Sequence, residues 1–294
     1  MTWLLSVVAI GLVAGSAPRV AISRGSLARL GVLVSLPILA PCNAGSERSP
    51  IQTLVPGVVR IAVTDTTVAD PLDPGQWMYR YAERLGRELD LRIEWVVVPF
   101  DKSWELAGKD VVDVVATNLA SFSDRVSPGG TFSTPFLYEQ RALRIRAADR
   151  SQYRTIADFV GKRVGAVTGM AAERDLLQRA PPGVQILSTM TFPELYELFD
   201  LGQLDAVAEA EYFTLDGRVI PSHGPDIALI DHHDLSPGQR EESVFVVRDK
   251  SKGLLEAVNA FVARTPFPLH LTHQELDARH EGVPLSRSVD PWAE

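Results

Sequence analysis

Short β-branched runs alternate with segments of helical period along most of this chain. Residues 58–63 read as a first strand and 65–75 as a Pro/Asp/Thr loop. Across 76–89, Met78, Tyr81, Ala82, Leu85 and Leu89 recur at helical spacing. Arg92–Val98 alternates as a second strand, 104–108 reads as a short helix, and 111–116 as a third strand. This β-α-β-α-β order predicts a parallel sheet with right-handed crossovers. Leu137–Arg146 then leaves the first group as an extended crossing. The pattern restarts with a short helix at 155–160, a strand at Arg163–Val167, a helix at Ala171–Arg179, a strand at 184–187, a helix at 192–202 and a strand at 205–209.

An apolar strand at 242–247 crosses back, and Leu254–Arg264 follows as a helix. Two α/β groups joined by two extended crossings predict a hinged body with a cleft. The boundaries expected are 55–146 plus 241–294 for one lobe and 147–240 for the other. From Pro266 onward the chain shows no clear period.

The first 44 residues read as a targeting region and tether rather than as part of the fold. Two apolar runs, 3–15 and 30–40, are each shorter than the roughly 20 residues a membrane-spanning helix needs. Arg24 and Arg29 precede the second run and small residues follow it, as in a secretory signal peptide. Leu39-Ala40-Pro41-Cys42 resembles a lipoprotein signal, with Cys42 as the lipid-bearing residue, although proline stands where a small residue is expected. Cleavage after Ala44 is the other route, and 46–50 would then be a tether. The remaining reading is a pair of core helices in a cytosolic protein.

The net charge is −8, and residues 1–42 hold three arginines and no acidic residue, so removing them takes it to −11. An acidic body without a basic stripe excludes nucleic acid and anionic membrane surfaces as partners. Cys42 is the one cysteine, which excludes disulfides, thiolate catalysis and cysteine-based zinc sites. His223, His232, His233, His270, His273 and His280 lack metal-ligand spacing and read as loop residues. No Gly-x-Ser-x-Gly elbow occurs. No metal or cofactor is expected.

The segment 113–125 ends a buried strand in small polar residues and one arginine, Arg125, with Phe-Ser-Thr-Pro-Phe at 132–136. A guanidinium there stands just past the carboxyl end of a strand, where open α/β sheets bind ligands. Its planar fork suits a carboxylate. The alternative is a surface arginine paired with Asp124.

Six stretches, 58–65, 110–125, 132–146, 155–173, 198–212 and 242–262, resemble in order the family 3 extracellular solute-binding proteins. These capture polar amino acids and related solutes for ABC importers. The resemblance spans about Val55 to Arg264 and implies the α/β, two-lobed type II periplasmic-binding fold, each lobe a mostly parallel sheet flanked by helices, with a two-strand hinge. It implies an exported receptor for a small carboxylate-bearing solute, partnered by a membrane permease. Arg125 matches the family's carboxylate-binding arginine, and the Thr168, Gly169, Met170, Ala171 turn matches its second donor set. Met170 replaces a hydroxyl donor there, and Gly169 alternatively serves only to close a tight βα turn.

The ammonium-binding aspartate of the family falls on Ala210. Glu209 and Glu211 flank it but point to the opposite face by strand alternation. Asp65 in the first loop stands where the family carries aromatic residues, and Asn118 and Ser121 offer further contacts. Two other readings stay open. One is a dehydratase-like enzyme, with Glu173, Glu209 or Glu211 as acid or base. The other is a signalling lipoprotein. Some lytic enzymes carry this module before a catalytic domain, and the end at Glu294 leaves no expectation of that activity.

Overall fold

The computed structural model describes residues 51–64, 74–125, 127–231 and 240–267. The chain divides into two units, Met1–Glu47 and Arg48–Glu294, and every described residue lies in the second. The targeting region, Cys42, Asp65 and all the histidines except His223 lie outside the described residues.

Eleven strands form one curled sheet in the order β2-β1-β3-β11-β5-β8-β6-β7. Here β1 is Val58–Thr64, β2 Arg92–Val98, β3 Val114–Ala120, β5 Leu137–Arg146 and β6 Arg163–Val167. Next come β7 at Gln185–Thr189, β8 at Ala206–Phe213 and β11 at Glu241–Arg248. Three strands stand off this path: β4 (Gly130–Phe132) on β11, β9 (Val219–Ile220) on β8, and β10 (Ile227–Asp231) on β5. The helices are α1 (Pro74–Glu88), α2 (Ala171–Arg179), α3 (Phe192–Asp200) and α4 (Leu254–Arg264). None among the described residues is long and apolar enough to cross a membrane.

Each half of the sheet repeats one device. β1 lies parallel to both β2 and β3, and β6 lies parallel to both β7 and β8. The carboxyl ends of β1, β3 and β6 are therefore free to face a ligand, as parallel strands require. β5 and β11 run antiparallel between the halves and pair with each other only over Leu137–Glu139 and Glu241–Ser243.

The third strand runs to Ala120 rather than ending at Ala116, and all seven of its residues are buried. Polar Thr117 and Asn118 stay in the strand because they line a pocket. The helices expected at 104–108 and 155–160 are single 3-10 turns, at Ser103–Glu105 and Ile156–Phe159. β4, β9 and β10 are short and had no periodic signal.

Close approach fixes the packing of α3 on β6. A Cβ on Gly165 would stand 2.5 Å from both Leu195 Cδ1 and Leu204 Cδ1. In the other half, buried Asp113 ties four segments together. Its carboxylate accepts from the Leu54 and Arg60 amides at 2.8 and 3.0 Å and from Ser251 Oγ at 2.9 Å. Its own amide bonds the Arg60 carbonyl, and its carbonyl takes the Arg248 amide.

Replacing Asp113 by Ala orphans two part-buried amides and a buried hydroxyl. Each lost partner costs about 1–3 kcal/mol, so Asp113→Ala is expected to lower stability by roughly 3 kcal/mol or more. Urea denaturation checks this, and a loss near zero would refute the knot.

Candidate ligand pocket between the sheet halves

A pocket of about 570 Å³, counting the part open to solvent, lies between the two halves. Thr64, Met78, Thr117 and Asn118 line it from the first half. Glu139 and Arg141 of β5 form part of its wall. Val167, Met170, Ala172, Phe192, Tyr196, Ala208, Glu209, Ala210 and Tyr212 line it from the second. The pocket sits at strand carboxyl ends, where open α/β sheets bind their ligands.

The chemistry of the pocket centres on Arg141, which is 2% exposed. Its Nη2 lies 2.6 Å from Glu139 Oε2 and 2.7 Å from Glu241 Oε2. The contact with Glu241 is close enough for ionic attraction but lies outside hydrogen-bond angles, so that oxygen keeps its lone pairs. Ser243 Oγ donates to the other oxygen of Glu139. Burial pushes the Glu241 carboxyl up to about 7; Arg141 and Arg125 oppose the rise, and Glu139 and Asp175 add to it. Arg141 itself is shifted upward: burial opposes its charge, and the carboxylates of Glu139 and Glu241 outweigh it.

A second charged group borders the pocket. Glu209 Oε1 accepts from Tyr196 OH at 2.6 Å and from Arg144 Nη1 at 3.2 Å, and the Arg144 guanidinium lies 4.8 Å from the Tyr196 ring centre. Asn118 carries φ of +56°, in the left-handed region that asparagine tolerates better than most residues. Its Oδ1 is buried without a partner.

Arg125 is 1% exposed and sits outside the pocket lining. Phe100, Trp104 and Phe122 surround its guanidinium at 5.3, 5.0 and 4.9 Å. Burial brings its pKa down to about 10, with Arg174 adding to the fall. Nη2 donates to the Gly169 carbonyl across the halves, and Nη1 donates to the Ala120 carbonyl at 3.4 Å. Asp124 instead pairs with Arg174, at 3.1 and 2.8 Å, so the surface pair with Arg125 does not form. Sequence reasoning thus brought Arg125 and the Thr168–Ala171 turn together, but they meet each other directly.

The amides of that turn have internal partners. Thr168 donates to the Thr189 carbonyl, Met170 to the Val167 carbonyl, and Gly169 to Glu173 Oε2 at 2.7 Å. A carboxylate reaching Arg125 has to displace the Gly169 carbonyl. Of the other expected residues, Asn118, Met170 and Glu209 line the pocket, whereas Thr168, Gly169, Ala171, Ser121 and Glu211 do not. The Ser121 amide bonds the Glu242 carbonyl. Glu139, Arg141 and Glu241 were missed, although Glu139 and Arg141 occupy one strand face at a spacing of two. No cluster of metal-ligating side chains occurs among the described residues.

No protein-family profile and no curated protein matches the chain. Solved structures do. The amino acid ABC transporter substrate-binding protein AbpA from Streptococcus pneumoniae, bound to L-arginine, shares 20% identity at a TM-score of 0.57, over 76% of this chain and 92% of that one. The P235GK mutant of ArgBP from T. maritima shares 19% at 0.55, over 71% and 89%. An ancestral arginine-binding protein bound to glutamine shares 18% at 0.56, over 76% and 96%. These similarities establish the fold as the two-lobed type II periplasmic-binding architecture.

Two predictions follow from the buried charges. Arg141→Met leaves buried Glu139 and half-buried Glu241 without their counter-ion and is expected to cost about 3–5 kcal/mol in urea denaturation. Adding Glu139→Leu should restore much of that, and an additive further loss would argue against a coupled cluster. Glu241 binds its proton more tightly in the fold than in the unfolded chain. Its contribution is therefore full below about 4.5 and is lost as pH rises toward about 7. Glu241→Gln should be more stable than the native protein at pH 8, by up to about 3 kcal/mol, and match it near pH 4.5. A pH-independent difference would contradict the assignment.

Proposed function

We propose that this protein is a non-catalytic solute-binding receptor. It takes a small nitrogen-bearing solute, an amino acid or a relative, into the pocket between its lobes and presents it to the permease of an ABC importer. The observation that carries this reading is the pocket itself, walled by both sheet halves at the carboxyl ends of β1, β3 and β6 and by Glu139 and Arg141 of β5. The lobes in this reading are 55–146 plus 241–294 and 147–240. β5 and β11 act as the hinge about which they close.

Contacts across the cleft suit closure. Arg125 reaches Gly169, and the bidentate Arg174–Asp124 pair lies beside it, with Arg174 4.8 Å from the Phe122 ring centre. Such contacts add to the closed state whatever energy the solute supplies. Residues 1–44 serve as the export leader in this reading, with Cys42 as a lipid anchor on one processing route. That places the receptor outside the cytoplasmic membrane. The ligands bound by the similar structures, L-arginine and glutamine, support the solute class.

A solute at 100 times its dissociation constant stabilises by about 2.7 kcal/mol. A thermal-shift screen against amino acids, amines, small carboxylates and sugars is therefore expected to yield at least one clear hit. Absence of any shift across the panel would count against the receptor reading.

A further inference from the structure

The receptor reading leaves open which part of the solute the pocket recognises, and the following inference rests on that reading. We propose that the pocket selects a small organic cation through its N–H groups, using Asn118 Oδ1, Glu139 and Glu209, and needs no carboxylate on the solute.

Most of the groups that would hold a carboxylate are occupied by the protein, although Arg125 Nε has no partner. Arg125 donates to two backbone carbonyls, and the amides of Thr168, Gly169 and Met170 have internal acceptors. What the pocket offers instead is acceptors. Asn118 is 9% exposed, it lines the pocket, and its Oδ1 has no partner. An orphaned buried acceptor costs stability unless a donor arrives. Glu209 lines the pocket as well, with the bonds from Tyr196 and Arg144 falling on its Oε1.

Charge points the same way. Glu139, Glu209 and Glu241 face Arg141 and Arg144, so the cluster at the pocket carries one negative charge in excess once Glu241 is ionised and is balanced while Glu241 is protonated. Buried charge favours an opposite partner, and a monocation supplies it. Arg141 Nε also lacks a partner. It adds a donor but no free positive charge, because the two carboxylates beside Nη2 already match that guanidinium. Phe192, Tyr196 and Tyr212 on the pocket wall give the carbon body of a solute apolar surface to rest against. A bound cation would also favour the ionised form of Glu241, which Glu139, Arg141, Asp175 and Arg125 surround electrostatically. Affinity should therefore fall as pH drops from 8 to 6.

Matched pairs that differ by one carboxylate test the proposal. Calorimetric titration of the full chain would compare L-arginine with agmatine, L-glutamine with 4-aminobutanamide, and L-leucine with isoamylamine. In at least one pair the amine is expected to bind ten-fold or more tightly than the amino acid. Asn118→Gly keeps a residue suited to positive φ, and it should weaken that amine at least ten-fold without lowering the melting temperature. Tighter binding of the amino acid in every pair, or an amine affinity indifferent to Asn118→Gly, would overturn the proposal and leave the receptor reading standing. If no solute of the wider panel binds either, both fall together.

Discussion

Arg141 with its two carboxylates is the interaction on which the arrangement of this molecule turns. It lies on β5, which pairs with β11 over Leu137–Glu139 and with β8 over Tyr138–Arg144, so the cluster stands where backbone hydrogen bonds join the two halves of the sheet. A guanidinium buried to this degree is costly to desolvate, and the cost is offset only while both acids keep their positions. Glu139 precedes it on the same strand face, and Glu241 opens β11. The pairing register of β5 and β11 is thereby tied to an electrostatic requirement. A slip of one residue would send Arg141 to the opposite face and leave the acids unmatched.

The same placement links architecture to recognition. Glu139 and Arg141 lie at once on a strand that joins the halves and in the pocket wall, so a change in charge within the pocket is felt where the halves join. This differs from a site built on surface loops, whose occupancy need not touch the frame. Asp113 has the corresponding role at the far edge. It binds β1, β3, β11 and the turn before α4 into one rigid block, against which the second half is arranged.

Much of the frame was legible in the sequence because burial on both faces gives parallel strands continuous apolar runs. β1, β2, β5, β6, α2 and α4 fall at or within a residue of their expected bounds. β3 was cut short at Ala116 because Thr117 and Asn118 look like the start of a loop, yet their polarity serves the pocket rather than solvent. The site was less legible. Arg125 was correctly brought to the turn after β6, but a motif cannot report that a carbonyl already occupies the guanidinium. Arg141 was overlooked because an arginine in a crossing strand normally reads as an exposed position, and only the side-chain partners across two strands reveal otherwise.

Gly169 carries a consequence of its own. A Cβ at this position would stand 2.8 Å from Asp101 Oδ1 and 3.1 Å from Asp101 Cα, across the seam between the halves. The gap there is set by the thickness of a single hydrogen atom. The residue works as a gauge block: its lack of a side chain fixes how near the two halves can stand. Any larger residue would become a permanent doorstop, altering the angle of the whole body without touching a single group that contacts solute.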